Sequence, residues 1–224
     1  MKLQFLGTGA ADWNSSLERT EEFRRFSSAL IDDELLIDPG PYVPEAIKTF
    51  GIDCSRIKYI INTHRHSDHY NEDVLSVLLQ NGAQFIDFIP DETKSLGKYT
   101  VEAVKGNHGA VPTNHFFIDD GEKRLFYALD GSWLLKSEVL AIKRKFVNLA
   151  VLDGTIGDVV GEPRIFEHCN LRMIEEMKTS LTQYIDKFMI THLARTLHTD
   201  HKTLTARMAK SGVGVARDGM IVEI

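Results

Sequence analysis

Residues Thr63–Tyr70 read Thr-His-Arg-His-Ser-Asp-His-Tyr, which places His64, His66, Asp68 and His69 within six positions. Imidazole nitrogen binds zinc and other first-row metals, and carboxylate oxygen suits the harder ions of that series. A turn that set His64 and His66 on one ion, and Asp68 and His69 on its neighbour, would make a two-metal centre. Such a centre activates water and clamps the oxygens of a displacement. The bland alternative is a solvated loop that happens to be rich in histidine. Against it stands the preceding run Ile57-Lys-Tyr-Ile-Ile, which reads as a buried strand carrying the cluster to a sheet edge.

Two ions need more than four side chains, so further ligands are expected at other strand ends. His108 follows the run Tyr99–Val104, and the flanking Gly106 and Gly109 allow a turn that aims its ring. Asp130 follows Arg124–Ala128 and precedes Gly131, where a carboxylate could bridge two cations. His192 follows Phe188-Met-Ile-Thr. Each position repeats the pattern of His64, an apolar strand and then a ligand. Alone each is weak, because a histidine after a strand is more often a hydrogen-bonded surface residue and Asp-Gly is a common turn. They gain force by fitting one scheme with the cluster.

The elements that must position these residues alternate between short strands and helices. Strands are expected at Leu3–Leu6, at Ser28–Ile31 and Glu34–Ile37 as a hairpin around Asp32-Asp33, and at Lys58–Ile61. Asp38-Pro39-Gly40-Pro41 stops the hairpin. Helices are expected over Val43–Phe50 and Asn71–Gln80, the latter with apolar Val74, Leu75, Leu78 and Leu79 at helical spacing. Further strands fall at Phe85–Ile89, Tyr99–Val104, His115–Ile118 and Arg124–Ala128. A helix over Ser137–Arg144, a buried strand at Phe146–Leu152, a helix over Leu171–Tyr184 and a strand at Lys187–Ile190 follow. A helix over Thr199–Lys210, capped by Thr199, and a strand at Met220–Ile224 close the chain. The pattern predicts one mixed α/β domain over residues 1–224, with layered sheets flanked by helices.

At 224 residues, 43% hydrophobic and 26% charged, the composition is that of an ordinary globular chain. The formal charge of −6 argues against a main role in gripping nucleic-acid backbone, although ions bound in a site can still attract a small anionic substrate. Cys54 and Cys169 are the two cysteines, too few for a disulfide framework, which suits a reducing compartment. The N-terminus shows no signal-peptide pattern and the chain no membrane span, so a cytoplasmic location and no membrane partner are expected.

The order His64-x-His66-x-Asp68-His69, then His108, Asp130 and His192 resembles the metallo-β-lactamase superfamily. Leu6-Gly7-Thr8-Gly9-Ala10-Ala11 is similar to its first loop, and Ile37-Asp38-Pro39-Gly40 to a motif whose aspartate steadies a metal ligand. The ending Val215-Ala-Arg-Asp-Gly-Met-Ile resembles the branch that holds the phosphodiesterase of the carbon–phosphorus lyase pathway. The resemblance implies an α/β fold, the four-layer αβ/βα sandwich with metals at one rim. It implies one ion on His64, His66 and His108, a second on Asp68, His69 and His192, and Asp130 between them. Two divalent ions are implied, zinc first, with manganese or iron as alternatives, and relatives of this sort are often homodimers. The stretch Arg164-Ile-Phe-Glu-His-Cys-Asn-Leu resembles a segment of that branch in which a non-ligand histidine faces the substrate phosphate, here His168. Two departures stand out. Residues 13–25 hold no cysteine where the phosphodiesterase has an extra zinc site, and the basic arm of the related tRNA 3′-processing endonucleases is not evident.

The expected activity is hydrolysis of a small phosphodiester, cyclic ones included, by a metal-bridging hydroxide. Asp68 would orient the nucleophile and His168 would protonate the leaving oxygen or offset phosphoryl charge. Asp38 would steady a ligand ring, and Asp153 would do similar work or serve a turn. His115, His198 and His201 read as structural or rim residues. The competing readings are hydrolysis of a carboxylic ester, lactone or thioester at the same centre, a redox reaction if the ions are iron, and a non-catalytic metal-binding protein.

Overall fold

The computed structural model describes residues 1–14 and 16–224. In chain order its strands are β1 Lys2–Gly7, β2 Ser28–Ile31, β3 Leu35–Ile37, β4 Tyr59–Ile61, β5 Gln84–Phe85, β6 Thr93–Leu96, β7 Tyr99–Lys105, β8 Asn114–Asp119, β9 Arg124–Ala128, β10 Val147–Asp153, β11 Ile185–Thr191, β12 Val213–Val215 and β13 Ile221–Glu223. The helices are α1 Val43–Phe50, α2 Glu72–Gln80, α3 Lys136–Lys145, α4 Leu171–Leu181 and α5 His201–Ala209. One sheet runs β13-β1-β2-β3-β4-β5 and the other β12-β11-β10-β9-β8-β7-β6. Both mix parallel and antiparallel pairs.

Alternation along the strands builds three apolar layers. On β10, Leu149 and Val151 face the other sheet and share a layer with its Leu3, Phe5 and Ile37. Ala150 and Leu152 face outward onto α3 and α4, meeting Ile142, Ile174 and Met177. The first sheet covers its outer face with α1 and α2 through Val43, Ala46, Val74 and Leu78. Helix, sheet, sheet, helix is therefore the order of layers, as expected from the sequence. Each large side chain buried this way contributes roughly 1.5–3 kcal/mol, and truncating fully buried Ile174 to alanine would cost about 2–5 kcal/mol.

Local signals fix the turns. Asp32 and Asp33 take φ of 49° and 62°, the left-handed pair that joins a tight hairpin, and aspartate tolerates it better than most residues. Asn71 caps α2 by accepting from Val74 N at 3.0 Å. Gly51 closes α1 at φ 64° and donates to Ile47 O.

Several boundaries differ from the sequence expectation. The Phe85–Ile89 strand shrinks to Gln84–Phe85, and β6 and β12 were not expected. The fourth helix stops at Leu181 rather than Tyr184. The cap of α5 is Asp200 rather than Thr199, since the Asp200 side chain accepts from Thr203 N at 2.9 Å. Among the described residues, no helix is long and apolar enough to cross a membrane.

Strand direction explains the position of the site. β9, β10 and β11 are mutually parallel, so their C-terminal ends share one rim, where Asp130, Asp153 and His192 emerge. Two antiparallel steps, β9 to β8 and β8 to β7, return β7 to the direction of β9 and bring His108 to the same rim. β4 of the other sheet ends there too, just before His64.

Candidate metal centre

His64, His66, His108 and Asp130 each offer one donor atom, and these atoms all lie within 4.8 Å of one another. Asp68, His69 and His192 make a second such set. Asp130 sits between the two, with Oδ2 2.8 Å from His69 Nε2 and 3.3 Å from His192 Nε2, and Oδ1 3.8 Å from His108 Nε2. All seven positions picked from the sequence thus converge. A third set, Asp130, Asp153, His168 and His192, brings in Asp153 and His168, two of the residues named as helpers.

Each buried ring is held from behind by one nitrogen. His69 Nδ1 lies 2.8 Å from Asp38 Oδ2. His108 Nδ1 lies 3.1 Å from Glu167 O, and His192 Nδ1 lies 2.7 Å from Thr155 Oγ1. Thr63 Oγ1 donates to Asp38 at 3.0 Å, so it accepts from His64 Nδ1 at 3.1 Å. With protons on Nδ1, the Nε2 atoms of these four rings face the cluster and would offer their lone pairs to bound ions. Such outer partners set tautomer and ring orientation at metal sites.

The donors fit divalent cations. His64 Nε2 and Asp130 Oδ2 are buried polar atoms without a hydrogen-bond partner. Asp130 Oδ2 is close to two ring nitrogens yet aligned with neither. Buried acceptors left this way are costly unless a cation satisfies them. A set of nitrogens and carboxylate oxygens suits zinc, manganese or iron alike.

The electrostatics lean the same way. Burial, and then the charge of His69, pushes His64 down to about 2, so its ring is neutral. Burial likewise lowers His108. Burial opposes charge on His69 as well, but Asp130, Asp68 and Asp38 outweigh it and raise its pKa well above the ordinary value. Burial would raise the Asp68 and Asp130 carboxyls, yet the His69 and His192 rings hold both below the usual range. Without ions, a protonated His69 is the positive charge among three carboxylates.

Three residues here adopt the left-handed region, Asp38 at φ 61°, Asp130 at 51° and His192 at 60°. Such conformations cost on the order of 1–3 kcal/mol each and persist where the surroundings dictate them. Asp38 is dictated by four donors, Asn62 Nδ2 at 2.9 Å, Thr63 N at 2.7 Å, Thr63 Oγ1 at 3.0 Å and His69 Nδ1 at 2.8 Å.

The cluster floors a cleft of about 540 Å³ whose walls include Ala10, Asp12, Arg164, Glu167, His168 and Ala194. His168 Nδ1 lies 2.7 Å from Asp153 Oδ2 and 3.2 Å from Thr155 Oγ1. Burial works against a charged His168, but Asp153 overcomes it and pushes the pKa up to about 9. Asp153 also accepts from Thr155 N at 2.7 Å, so it serves both the turn and the ring. His198 and His201 point elsewhere, His198 Nε2 to Gly154 O at 2.7 Å and His201 Nδ1 to Arg24 at 2.9 Å. In the cysteine-free stretch, Trp13 donates to Leu193 O at 2.8 Å and meets Phe23 edge-on. Thr155, Arg164 and Glu167 were not singled out in the sequence, where nothing in their spacing marks them.

Comparison with known proteins agrees on the fold. The chain has the metallo-β-lactamase fold. It superposes on the metallo-β-lactamase fold protein YhfI from Bacillus subtilis with a TM-score of 0.76 at 18% identity, covering 100% of this chain and 99% of the other. A diphosphatase from the PhnP family gives 0.76 at 18% identity, with 100% and 97% covered. Zn²⁺-bound PqqB from Methylobacterium extorquens gives 0.76 at 15%, with 100% of both chains covered. A family model described as anti-Pycsar protein Apyc1 matches residues 1–72, the segment that ends just past the histidine cluster. No curated protein sequence matches the chain.

Proposed function

We propose that the protein is a hydrolase of small phosphodiesters that works with two divalent metal ions. His64, His66 and His108 would hold one ion, Asp68, His69 and His192 the other, and Asp130 both. The observation that carries the reading is the pair of orphaned acceptors, His64 Nε2 and Asp130 Oδ2, at the meeting point of the two donor sets. When bound, the ions supply a water acidic enough to deprotonate near neutral pH and positive charge for the phosphoryl oxygens.

The protein's own groups do the rest. Asp68, ionised beside the rings, accepts a hydrogen bond from the attacking water and aims it. His168 keeps one proton on Nδ1 against Asp153, which leaves Nε2 for the substrate. As the P–O bond breaks, the Nε2 proton moves to the departing alkoxide, and Asp153 offsets the charge that the ring carries beforehand. A carboxylate behind a histidine fixes its tautomer and orientation in this way. The cleft volume of about 540 Å³ falls within the roughly 300–1,000 Å³ typical of small-molecule sites, which suits a nucleotide-sized diester, cyclic or linear. The likeness to a diphosphatase from the PhnP family supports a phosphorus substrate over a carboxylic ester.

The test uses chelated protein, with Zn²⁺ or Mn²⁺ restored, against bis(p-nitrophenyl) phosphate, a 3′,5′-cyclic nucleotide and p-nitrophenyl acetate. Turnover of the diesters is expected. His168→Ala should lose about 10²- to 10⁴-fold in kcat with its metal content intact. Turnover of the acetate alone, or an unaffected His168→Ala enzyme, contradicts the reading.

A further inference from the structure

His115 and Glu138 lie beneath the metal centre, not in it. Both are buried, at 1% and 0% exposure. His115 stands at the start of β8, between the ends of β7 and β9. Its Nδ1 donates to Glu138 Oε1 at 2.6 Å and its Nε2 to Leu129 O at 3.0 Å. Glu138 Oε2 accepts from Leu135 N at 2.6 Å. With Glu138 as the carboxylate, both partners of the ring are acceptors, both ring nitrogens donate and the ring is an imidazolium. Burial opposes that charge, and the Glu138 carboxylate outweighs it and raises the pKa above the ordinary histidine value.

The ring is gripped by the two loops that matter. A Cβ at Gly106 would come within 2.7 Å of His115 Nε2, and one at Gly131 within 2.8 Å of its Cε1. Gly106 lies two residues before His108, and Gly131 directly follows Asp130. The carbonyl that His115 holds, that of Leu129, belongs to the peptide entering Asp130, whose φ is the left-handed 51°. The same loops are tied across by Ser132 N to Asn107 O at 2.9 Å and Asn107 Nδ2 to Ser132 Oγ at 2.8 Å.

We propose that His115 and Glu138 are a positioning pair, which fixes the peptide before Asp130 and spaces the loops bearing Asp130 and His108 so that both ions can be held. The pair rests on the metal centre proposed above. It sits out of reach of substrate, separated from the cleft by the loops that it supports. A buried ion pair by itself rarely adds stability over apolar side chains of similar size, and the hydrogen bond to Leu129 O gives this one a use.

Two variants test it. In Glu138→Gln the amide oxygen can still accept from Leu135 N, and the amide nitrogen can donate to Nδ1 of a neutral ring, which keeps its Nε2 hydrogen bond to Leu129 O. This variant should take up both ions and show the wild-type visible spectrum when loaded with Co²⁺. In His115→Phe/Glu138→Leu a flat ring still fills the slot, but nothing holds the Leu129 carbonyl. Melting in chelator should show it folded, while competition with a chromophoric chelator shows at least one ion bound about 10- to 100-fold more weakly, with an altered Co²⁺ spectrum. An unchanged affinity and spectrum in the double variant overturns the pair alone, provided the wild type binds two ions. Loss of an ion in Glu138→Gln overturns it as well, because the ring's bond to Leu129 survives there. A wild-type protein that takes up no metal removes the centre and the pair together.

Discussion

Replacing Asp38 by asparagine changes one atom and reverses the direction of a hydrogen bond at the base of the site. In the native protein Asp38 Oδ1 accepts from Asn62 and Thr63 N, and Oδ2 accepts from His69 Nδ1 at 2.8 Å. The amide can keep its oxygen where Oδ1 lies, but its nitrogen then faces His69 Nδ1. Two donors cannot share that contact, so the ring shifts its proton to Nε2, the atom that points into the cluster. A protonated Nε2 has no lone pair for a metal. Outer-sphere changes of this kind cost about 10- to 100-fold in metal affinity, or about 1.4–2.8 kcal/mol. The backbone should not add to the loss, because asparagine tolerates the left-handed φ of 61° at this position. The assay is competition for Zn²⁺ against a chromophoric chelator at pH 7.5, with melting in chelator as a check on folding. A folded Asp38→Asn protein with wild-type affinity for both ions would show that Asp38 does not set the His69 tautomer, and the reasoning would fail.

Metal uptake should release protons. Without ions His69 is held protonated by Asp130, Asp68 and Asp38, with its pKa raised well above the ordinary value, whereas the His64 ring at about 2 is already neutral and Asp130 already ionised. Below the raised His69 value each fall of one pH unit should therefore weaken binding about tenfold at that ion, and calorimetry at pH 7 should give an apparent enthalpy that varies with the ionisation heat of the buffer. Identical enthalpies in phosphate and Tris would contradict this. Arg164, the lysine or arginine among the described residues lining the cleft, is oriented by Glu162 at 2.7 and 3.1 Å. If it anchors an anionic substrate, Arg164→Ala should raise KM several-fold and leave kcat close to wild type, and an equal fall in kcat at constant KM would assign it a different role.

The site was legible in the sequence to the extent that its residues announce themselves locally. Four of the seven candidate ligands fall in one six-residue run, and His108, Asp130 and His192 each end an apolar strand, so pattern alone could nominate them. Asp38 was legible through its place before Pro39. Thr155 and Glu138 were not. Thr155 bears on His192 only because β10 and β11 pair in parallel and bring residues 37 apart to 2.7 Å. Glu138 lies in Lys-Ser-Glu-Val-Leu, which reads as a solvated helical turn, and only the packing of α3 over β8 buries it against His115. The missed strands β6 and β12 are Thr-Lys-Ser-Leu and Val-Gly-Val. They are too short and too polar or glycine-broken for a period of two to show, and edge pairing with a neighbour defines them. Thr199 and Asp200 are both good capping residues, and the backbone path alone decides which one reaches Thr203 N.

Glycine is cheap in the backbone conformation that Asp38, Asp130 and His192 share, so these are positions where a selection for heat resistance would drift toward glycine or asparagine. Every such replacement would strip an oxygen or nitrogen from the cluster or its support. Screens scored only on melting temperature would thus enrich robust but inactive descendants, and a useful stabilisation campaign on this scaffold would hold these codons fixed.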